Sequence, residues 1–436
     1  MPRLLSLALL TALLPAAAAQ TGGAEGLTLV GQLNPRPSVG YADIWGYVGA
    51  NGREYALLST RSDGGMTVID VTAEPPVEVE YIPGSGGTGS DIEVYGDYVY
   101  FSDDQAPTQI YSLADPENPV LVGTVPTDAH TITVAGEYLY TQGGPSPGGV
   151  RIYHLANPAS PTFVGEYQPH YMHDIHVRGD TMYAAGIYGQ GVDIVDLSDR
   201  TNPALIARFN YPASGAHNIC TTEDGSYAFV GDEIGSGQWT RIFDVRDPMN
   251  VTLVGQIIVD PNTTVHNCHV KGDLLYIGYY DDYGARVYDI SDPTQPEEIA
   301  YFETTGGQMM WSVYPHLPSG KIIGAGYYAG GLYVFRLESI LANEPGAGGD
   351  DALTLTAAPN PVRGTGTLRF ALPGAAEVRL SVYDALGREV AVLAEGARGA
   401  GPHEAALDVA ALPPGVYLAR LVASGRSTTA RLTVAR

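Results

Sequence analysis

Residues 172–209 read MHDIHVRGDTMYAAGIYGQGVDIVDLSDRTNPALIARF. Four short segments, MHDIHV, TMYAAG, GVDIVDLS and ALIARF, are rich in β-branched and aromatic residues, and turn residues separate them. None carries the 3.6-residue period of a helix. The quartet recurs along the chain. Its first two segments reappear as SDIEVYGDYVYFSDD at 90–104, AHTITVAGEYLYTQGG at 129–144, AHNICTTEDGSYAFVGDE at 216–233 and VHNCHVKGDLLYIGYYDD at 265–282. More diverged copies start at ADIWGYVG, 42–49, and MWSVYPHLPSG, 310–320. Aligned on Asp43, Asp91, His130, His173, His217, His266 and Trp311, the seven copies are spaced 48, 39, 43, 44, 49 and 45 residues apart. A four-stranded unit of 40–50 residues repeated without helices predicts an all-β fold, a seven-bladed β-propeller.

The seventh copy ends at Leu337 without its fourth segment. A segment of that kind stands at the other end of the repeats, as Leu27-Thr28-Leu29-Val30-Gly31-Gln32-Leu33. Strand 27–33 is therefore expected to close the last blade and leave no open edge. Turns such as Asp115-Pro116-Glu117-Asn118-Pro119 and Asp292-Pro293-Thr294-Gln295-Pro296 join segments three and four. Asp70, Asp196, Asp244 and Asp289 just before are expected to cap them as structural carboxylates.

The composition agrees. Of 436 residues, 54 are Gly, 31 Pro and 29 Tyr, which suits short strands and many turns. A formal charge of −25 excludes a nucleic-acid binder, which needs a basic face for phosphates. The acid is confined to one part. Residues 1–350 carry a net −27, whereas 351–436 carry 9 Arg against 7 acidic residues. Residues 1–19, MPRLLSLALLTALLPAAAA, have the basic start, short apolar run and small-residue end of a secretory signal peptide, and no later stretch reads as a transmembrane segment. The propeller is assigned to 20–342 and a linker to 343–350, NEPGAGGD. Seven short alternating segments in 351–436 predict a small C-terminal β-sandwich.

Two resemblances sharpen this reading. Ile194-Val195-Asp196-Leu197-Ser198-Asp199 and Val287-Tyr288-Asp289-Ile290-Ser291-Asp292-Pro293 resemble the LVIVD repeats of bacterial secreted propellers. His217-Asn218, the Thr222–Gly225 turn and Gly231-Asp232-Glu233 are similar to the choice-of-anchor B surface proteins. In the tail, Pro359-Asn360-Pro361, Val382-Tyr383-Asp384-Ala385-Leu386-Gly387-Arg388-Glu389 and Leu412-Pro413-Pro414-Gly415-Val416-Tyr417 resemble the type A C-terminal sorting domain of the type IX secretion system. That resemblance implies a tail read by the type IX secretion machinery, and a protein secreted or attached to the outer cell surface. Neither resemblance brings an activity.

In a propeller, the starts of the inner strands and the loops between second and third strands emerge at one mouth, and loops on a rigid scaffold concentrate binding residues. The expected ligand-binding face is Asp43, Arg61, Asp63, Asp91, Asp103, Asp104, Tyr188, Asp232, Glu233, Tyr279, Tyr280, Asp281, Asp282, Tyr327 and Tyr328. His130, His173, His217 and His266, on consecutive blades, are candidate ligands of a divalent metal. Imidazole suits zinc, and the paired carboxylates Asp103-Asp104 and Asp281-Asp282 raise calcium, although neither pair sits in a twelve-residue calcium loop. The same histidines could instead stitch neighbouring blades or carry protons. Cys220 and Cys268 lie three and two residues past the histidines of their strands, so alternation turns them opposite ways and free, buried thiols are expected; export also permits a disulfide. No phosphate-binding Gly-Lys-Ser/Thr loop occurs. Three functions fit: a module binding an extracellular polymer, glycan or surface protein; a metal-dependent extracellular hydrolase or lyase acting on a polysaccharide or other polymer; and a purely structural surface protein.

Overall fold

Each repeat folds as a four-stranded antiparallel meander. In the fourth, Asp174–Arg178, Thr181–Gly186, Gly191–Asp196 and Ala204–Phe209 pair in sequence order, the first strand innermost. The first hairpin turns on two residues, Gly179-Asp180, between Arg178 and Thr181. Gly179 and its counterparts Gly96, Gly136 and Gly272 have φ of 57–59°, a conformation that a side chain would strain. After the third strand the Asp caps form as expected: Asp196 accepts from Ser198 N at 2.8 Å, Asp289 from Ser291 N at 2.8 Å and Asp70 from Thr72 N at 2.8 Å.

In this computed structural model the described residues are 23–338, except 85, 236 and 328–329, and 353–434, except 359–361, 384–388, 411, 414 and 424–425. The signal segment 1–19, the linker 343–350, Tyr328 and parts of the three tail motifs lie outside them. Seven sheets form between residues 24 and 337, and their inner strands contact one another in a closed circle, the seventh against the first. Strand Leu27–Leu33 pairs with Gly331–Leu337, from Leu27 opposite Leu337 to Leu33 opposite Leu332, and so supplies the outer strand of blade seven. Ala24–Glu25 adds a fifth, short strand to blade six beside Tyr301 and Phe302. The N-terminal segment thus straps two blades. Among the described residues no helix is long and apolar enough to cross a membrane.

The core lies between blades. One buried cluster joins Tyr41, Ile44 and Leu58 of blade one to Trp311, Ile323 and Val334 of blade seven. Another joins Cys220 and Phe229 of blade five to Leu275 and Ile277 of blade six. The sheets are therefore radial, and each face looks at a neighbouring blade. This corrects the expectation for the cysteines. Cys220 and Cys268 are joined in a disulfide, with Cα atoms 6.1 Å apart. Facing opposite ways along their own strands is what lets residues on adjacent radial blades meet.

The chain divides into compact units at 338/339. In the tail, seven strands form sheets of three and four, Thr354–Ala358 with Thr365–Leu372 and Gly401–Asp408, and Glu389–Arg398 with Ala376–Tyr383, Gly415–Ala423 and Arg426–Val434. Leu368, Leu380, Val382, Ala419, Leu421 and Leu432 are fully buried in its core.

Candidate functional site

The inner strands begin with a β-bulge in blades one, two, five, six and seven, at Tyr41/Ile44, Gly89/Ile92, Ala216/Asn218, Val265/Cys268 and Met310/Ser312. Bulges re-aim side chains. Here they separate two levels of the channel. Ser59 Oγ lies 3.5 Å from Ser90 O, as Ser102 Oγ lies 3.0 Å from His130 O, so Ser90 is the counterpart of His130. Asp43 and Asp91 sit one residue deeper, where Asp43 N meets Ser59 Oγ and Asp91 N meets Ser102 Oγ, each at 3.0 Å. In blades one and two the acidic residue thus stands one position past the level that spacing assigns to it. A one-residue slip changes the level and the partner of a side chain.

The outer level is a ring of rings. Centroids are 4.6 Å apart for His130 and His173, 4.2 Å for His173 and His217, 4.2 Å for His217 and His266, and 4.2 Å for His266 and Trp311. Polar contacts close the circle. The Arg61 guanidinium lies 5.7 Å from the Trp311 ring and donates at 2.9 Å to Gly89 O and to Ser90 Oγ. Ser90 Oγ is 3.2 Å, and His130 Nδ1 2.8 Å, from the same Asp104 oxygen. Burial acts to raise the Asp104 carboxyl, but His130 and Arg61 outweigh it and hold it below the ordinary range. Four imidazoles thus stand at neighbouring strand starts, and Glu233 reaches them from the loop of blade five. Its oxygens are 3.7 Å from His217 Nε2 and 3.8 Å from His266 Nε2.

The hydrogen bonding of this ring is incomplete. His266 Nδ1 donates to Trp311 O at 2.8 Å, which leaves a lone pair on Nε2. That Nε2, His173 Nδ1 and His217 Nδ1 are buried with no hydrogen-bond partner. Burial pushes the His217 and His266 rings down to about 3, and holds His173 well below the ordinary histidine value with help from its histidine neighbours. The rings are therefore neutral at physiological pH. Aromatic faces surround them: Tyr280 stacks on His266 at 4.9 Å, Tyr327 lies 4.7 Å from Trp311, and Tyr171 lies 6.4 Å from His173 and 5.4 Å from the exposed Tyr188.

Blades are stitched at the mouth by His266 Nδ1 on Trp311 O, the bond expected of the histidines, and further at the second level. Asp91 accepts from Ile132 N of the next blade at 2.8 Å, Asn218 from Cys268 N at 2.9 Å, and Asp174 from Asn218 Nδ2 at 2.6 Å. Below it a cavity of about 330 Å³ is lined by Asp43, Trp45, Asp91, Glu93, Asp174, His176, Asn218, His269 and His316 among others. Burial, first, and like charge push these carboxyls up, Asp43 to about 6 and Asp91 and Glu93 well above their ordinary values.

Of the expected face, Arg61, Asp104, Tyr188, Glu233, Tyr280 and Tyr327 stand around the histidine mouth. Other side chains have local partners. Asp63 binds Thr60 and Tyr81, and Asp103 accepts from Thr88 N and Gln105 N. Asp232 pairs with Arg241 and accepts from Tyr211 and Gly215 N. Asp282 caps Gly307 N and Gln308 N, Asp281 sits in the turn before it with φ 55°, and Tyr279 is buried 3.3 Å from the Tyr288 hydroxyl. Tyr171 and Ser90 were not anticipated, although both stand within two residues of an aligned position.

Comparisons with known proteins agree with this architecture. The LVIVD repeat matches residues 86–127, 171–211 and 264–304, which fall on blades two, four and six. The secretion system C-terminal sorting domain matches residues 356–435. Among solved structures, the chain is similar to the β-propeller domain of Cps50 (Swd1) from Myceliophteria thermophila, with a TM-score of 0.54 and 12% identity over 71% of this chain and 99% of that one. It is likewise similar to the WD40 β-propeller domain of Doa1, with a TM-score of 0.55 and 12% identity over 73% and 98%. At such identities the likeness concerns the fold alone. No curated protein matches the chain. The chain is a β-propeller protein with LVIVD repeats and a C-terminal sorting domain, delivered by type IX secretion to the outer cell surface or beyond.

Proposed function

We propose that the protein is a surface or secreted binding module that takes an extracellular glycan at the histidine mouth. The observation that carries this reading is the convergence there of Tyr171, Tyr188 and Tyr327, backed by the buried rings of Trp311 and Tyr280, with Arg61, Asp104 and Glu233. Aromatic faces pack against the C–H faces of sugars, while a few fixed polar groups orient hydroxyls. The net −27 over residues 1–350 repels polyanions, so a neutral glycan suits the mouth better than a uronate polymer. A second reading, hydrolysis or elimination on such a polymer, is favoured by the Asp104–His130 pair, an imidazole held in orientation by a carboxylate as proton carriers often are. A panel of neutral and acidic glycans presented to the mature chain tests both. Retention of neutral glycans by the wild type, lost in Tyr280→Ala and Tyr327→Ala, supports the binding reading. Cleavage of the retained glycan, lost in His130→Ala, supports the second. No retention of any glycan class overturns both.

A further inference from the structure

We infer that the histidine mouth holds one zinc-type transition-metal ion on His173, His217 and Glu233. One ligand atom from each of these residues lies within 4.8 Å of the others. That spacing lets three donors close on a single ion with small side-chain movements. The inference goes beyond the glycan reading and does not depend on it.

Three observations point to an ion. The first is the set of unpartnered nitrogens. His173 Nδ1, His217 Nδ1 and His266 Nε2 are buried in one ring of stacked imidazoles. Buried polar atoms without a partner are rare, and three in one ring form a feature that a ligand would relieve. The second is the tautomer of His266, whose Nδ1 is tied to Trp311 O. Its Nε2 lone pair faces the same space, 3.8 Å from Glu233, beside the position that three ligands leave open. The third is the oriented outer partner. Asp104 holds His130 by Nδ1, and the His130 ring lies against His173 at 4.6 Å. His130 lies outside the group whose ligand atoms fall within 4.8 Å of one another, which narrows the set of four histidines expected from the sequence. Two imidazoles and one carboxylate favour zinc over calcium, which takes six to eight oxygens.

The test uses the mature full-length chain without a polyhistidine tag. It is stripped with chelator, then titrated with zinc and separately with calcium by calorimetry, with metal content measured by mass spectrometry. The expected result is one zinc per chain, no calcium at the mouth, and a higher melting temperature with zinc through mass action. Glu233→Gln and His217→Ala should each weaken zinc by about 100-fold, at or beyond the upper end of what loss of an outer partner does. His130→Ala should weaken it by less than about 10-fold. Glu233 is partly exposed, so its substitution leaves the fold as a control for the buried histidine. A wild type that takes up no zinc, or zinc affinity unchanged by Glu233→Gln, would overturn the inference. So would an affinity lost equally in His130→Ala.

Discussion

The bond between Cys220 and Cys268 ties the inner strands of blades five and six directly behind two of the mouth histidines. Replacing both cysteines by Ala removes it without placing a new polar atom in the core. The two residues are 48 apart in sequence. Opening a loop of that size restores about 13–14 cal/mol/K to the unfolded chain by the loop-closure relation, or about 4 kcal/mol at 25 °C. All three Trp residues, Trp45, Trp239 and Trp311, belong to the propeller, so Trp emission follows that unit without contribution from the tail. In guanidinium titrations the double variant should show a lower midpoint together with a steeper slope, because the uncrosslinked unfolded chain exposes more surface. Mass spectrometry after alkylation in denaturant should find no reactive thiol in the wild type and two after reduction. Two reactive thiols in the unreduced protein, or equal midpoints and slopes for the two proteins, would refute the reasoning.

Deleting residues 20–33 should open blade seven and sharply lower the thermal midpoint, since burial of Leu27 alone is worth roughly 1.5–3 kcal/mol and the ladder to Gly331–Leu337 goes with it; an unchanged midpoint would dismiss the closing strand. The channel carboxyls give stability a pH dependence whose sign follows from Asp43. Its carboxyl keeps its proton up to about 6 in the folded state, facing Asp91, Glu93, Asn267 and Ser312, whereas an unfolded carboxyl loses it near 4. Stability is therefore full below about pH 4 and declines as pH rises through 6, by up to about 1.4 kcal/mol per pH unit for each such proton. Buried His176 and His269, pushed down to about 4 and 3, act oppositely below 6.5, so the contribution of Asp43 is read from the difference between wild type and Asp43→Asn. That difference should shift between pH 4 and 6 and stay level above 7. Removing residues 351–436 should leave the Trp-monitored midpoint of the propeller unchanged and abolish delivery to the cell surface, measured by fractionation of the native host.

The architecture was legible because a propeller writes its period into the chain. Gly-Asp turns and Asp caps recur at fixed offsets, and the missing fourth segment after Leu337 has its counterpart at Leu27–Leu33. Register was harder. Asp43 and Asp91 align with the histidines by spacing, yet the Ser59 and Ser102 hydroxyls show them one residue past the histidine level, and a one-residue slip leaves no mark in the composition of the strand. The disulfide is hidden for a related reason: alternation turns Cys220 and Cys268 opposite ways, and only the radial arrangement of blades makes opposite-facing residues on neighbouring strands meet. Glu233 was placed at the mouth by its loop, whereas its approach to His217 and His266 depends on how far that loop leans over the channel, which spacing does not encode.

The claim that the histidine mouth is the binding site is tested most directly by asking which end of the channel responds to a ligand. Trp311 stands in the mouth, 4.2 Å from His266, whereas Trp45 lines the inner cavity with His269 at 6.0 Å. Two variants, each retaining only one of these tryptophans with Phe at the other two positions, are titrated with the glycan retained on the panel. A saturable change in Trp311 emission at the affinity of the unmodified protein, with Trp45 silent, is the predicted result. A silent Trp311, or a response from Trp45 alone, would contradict the account.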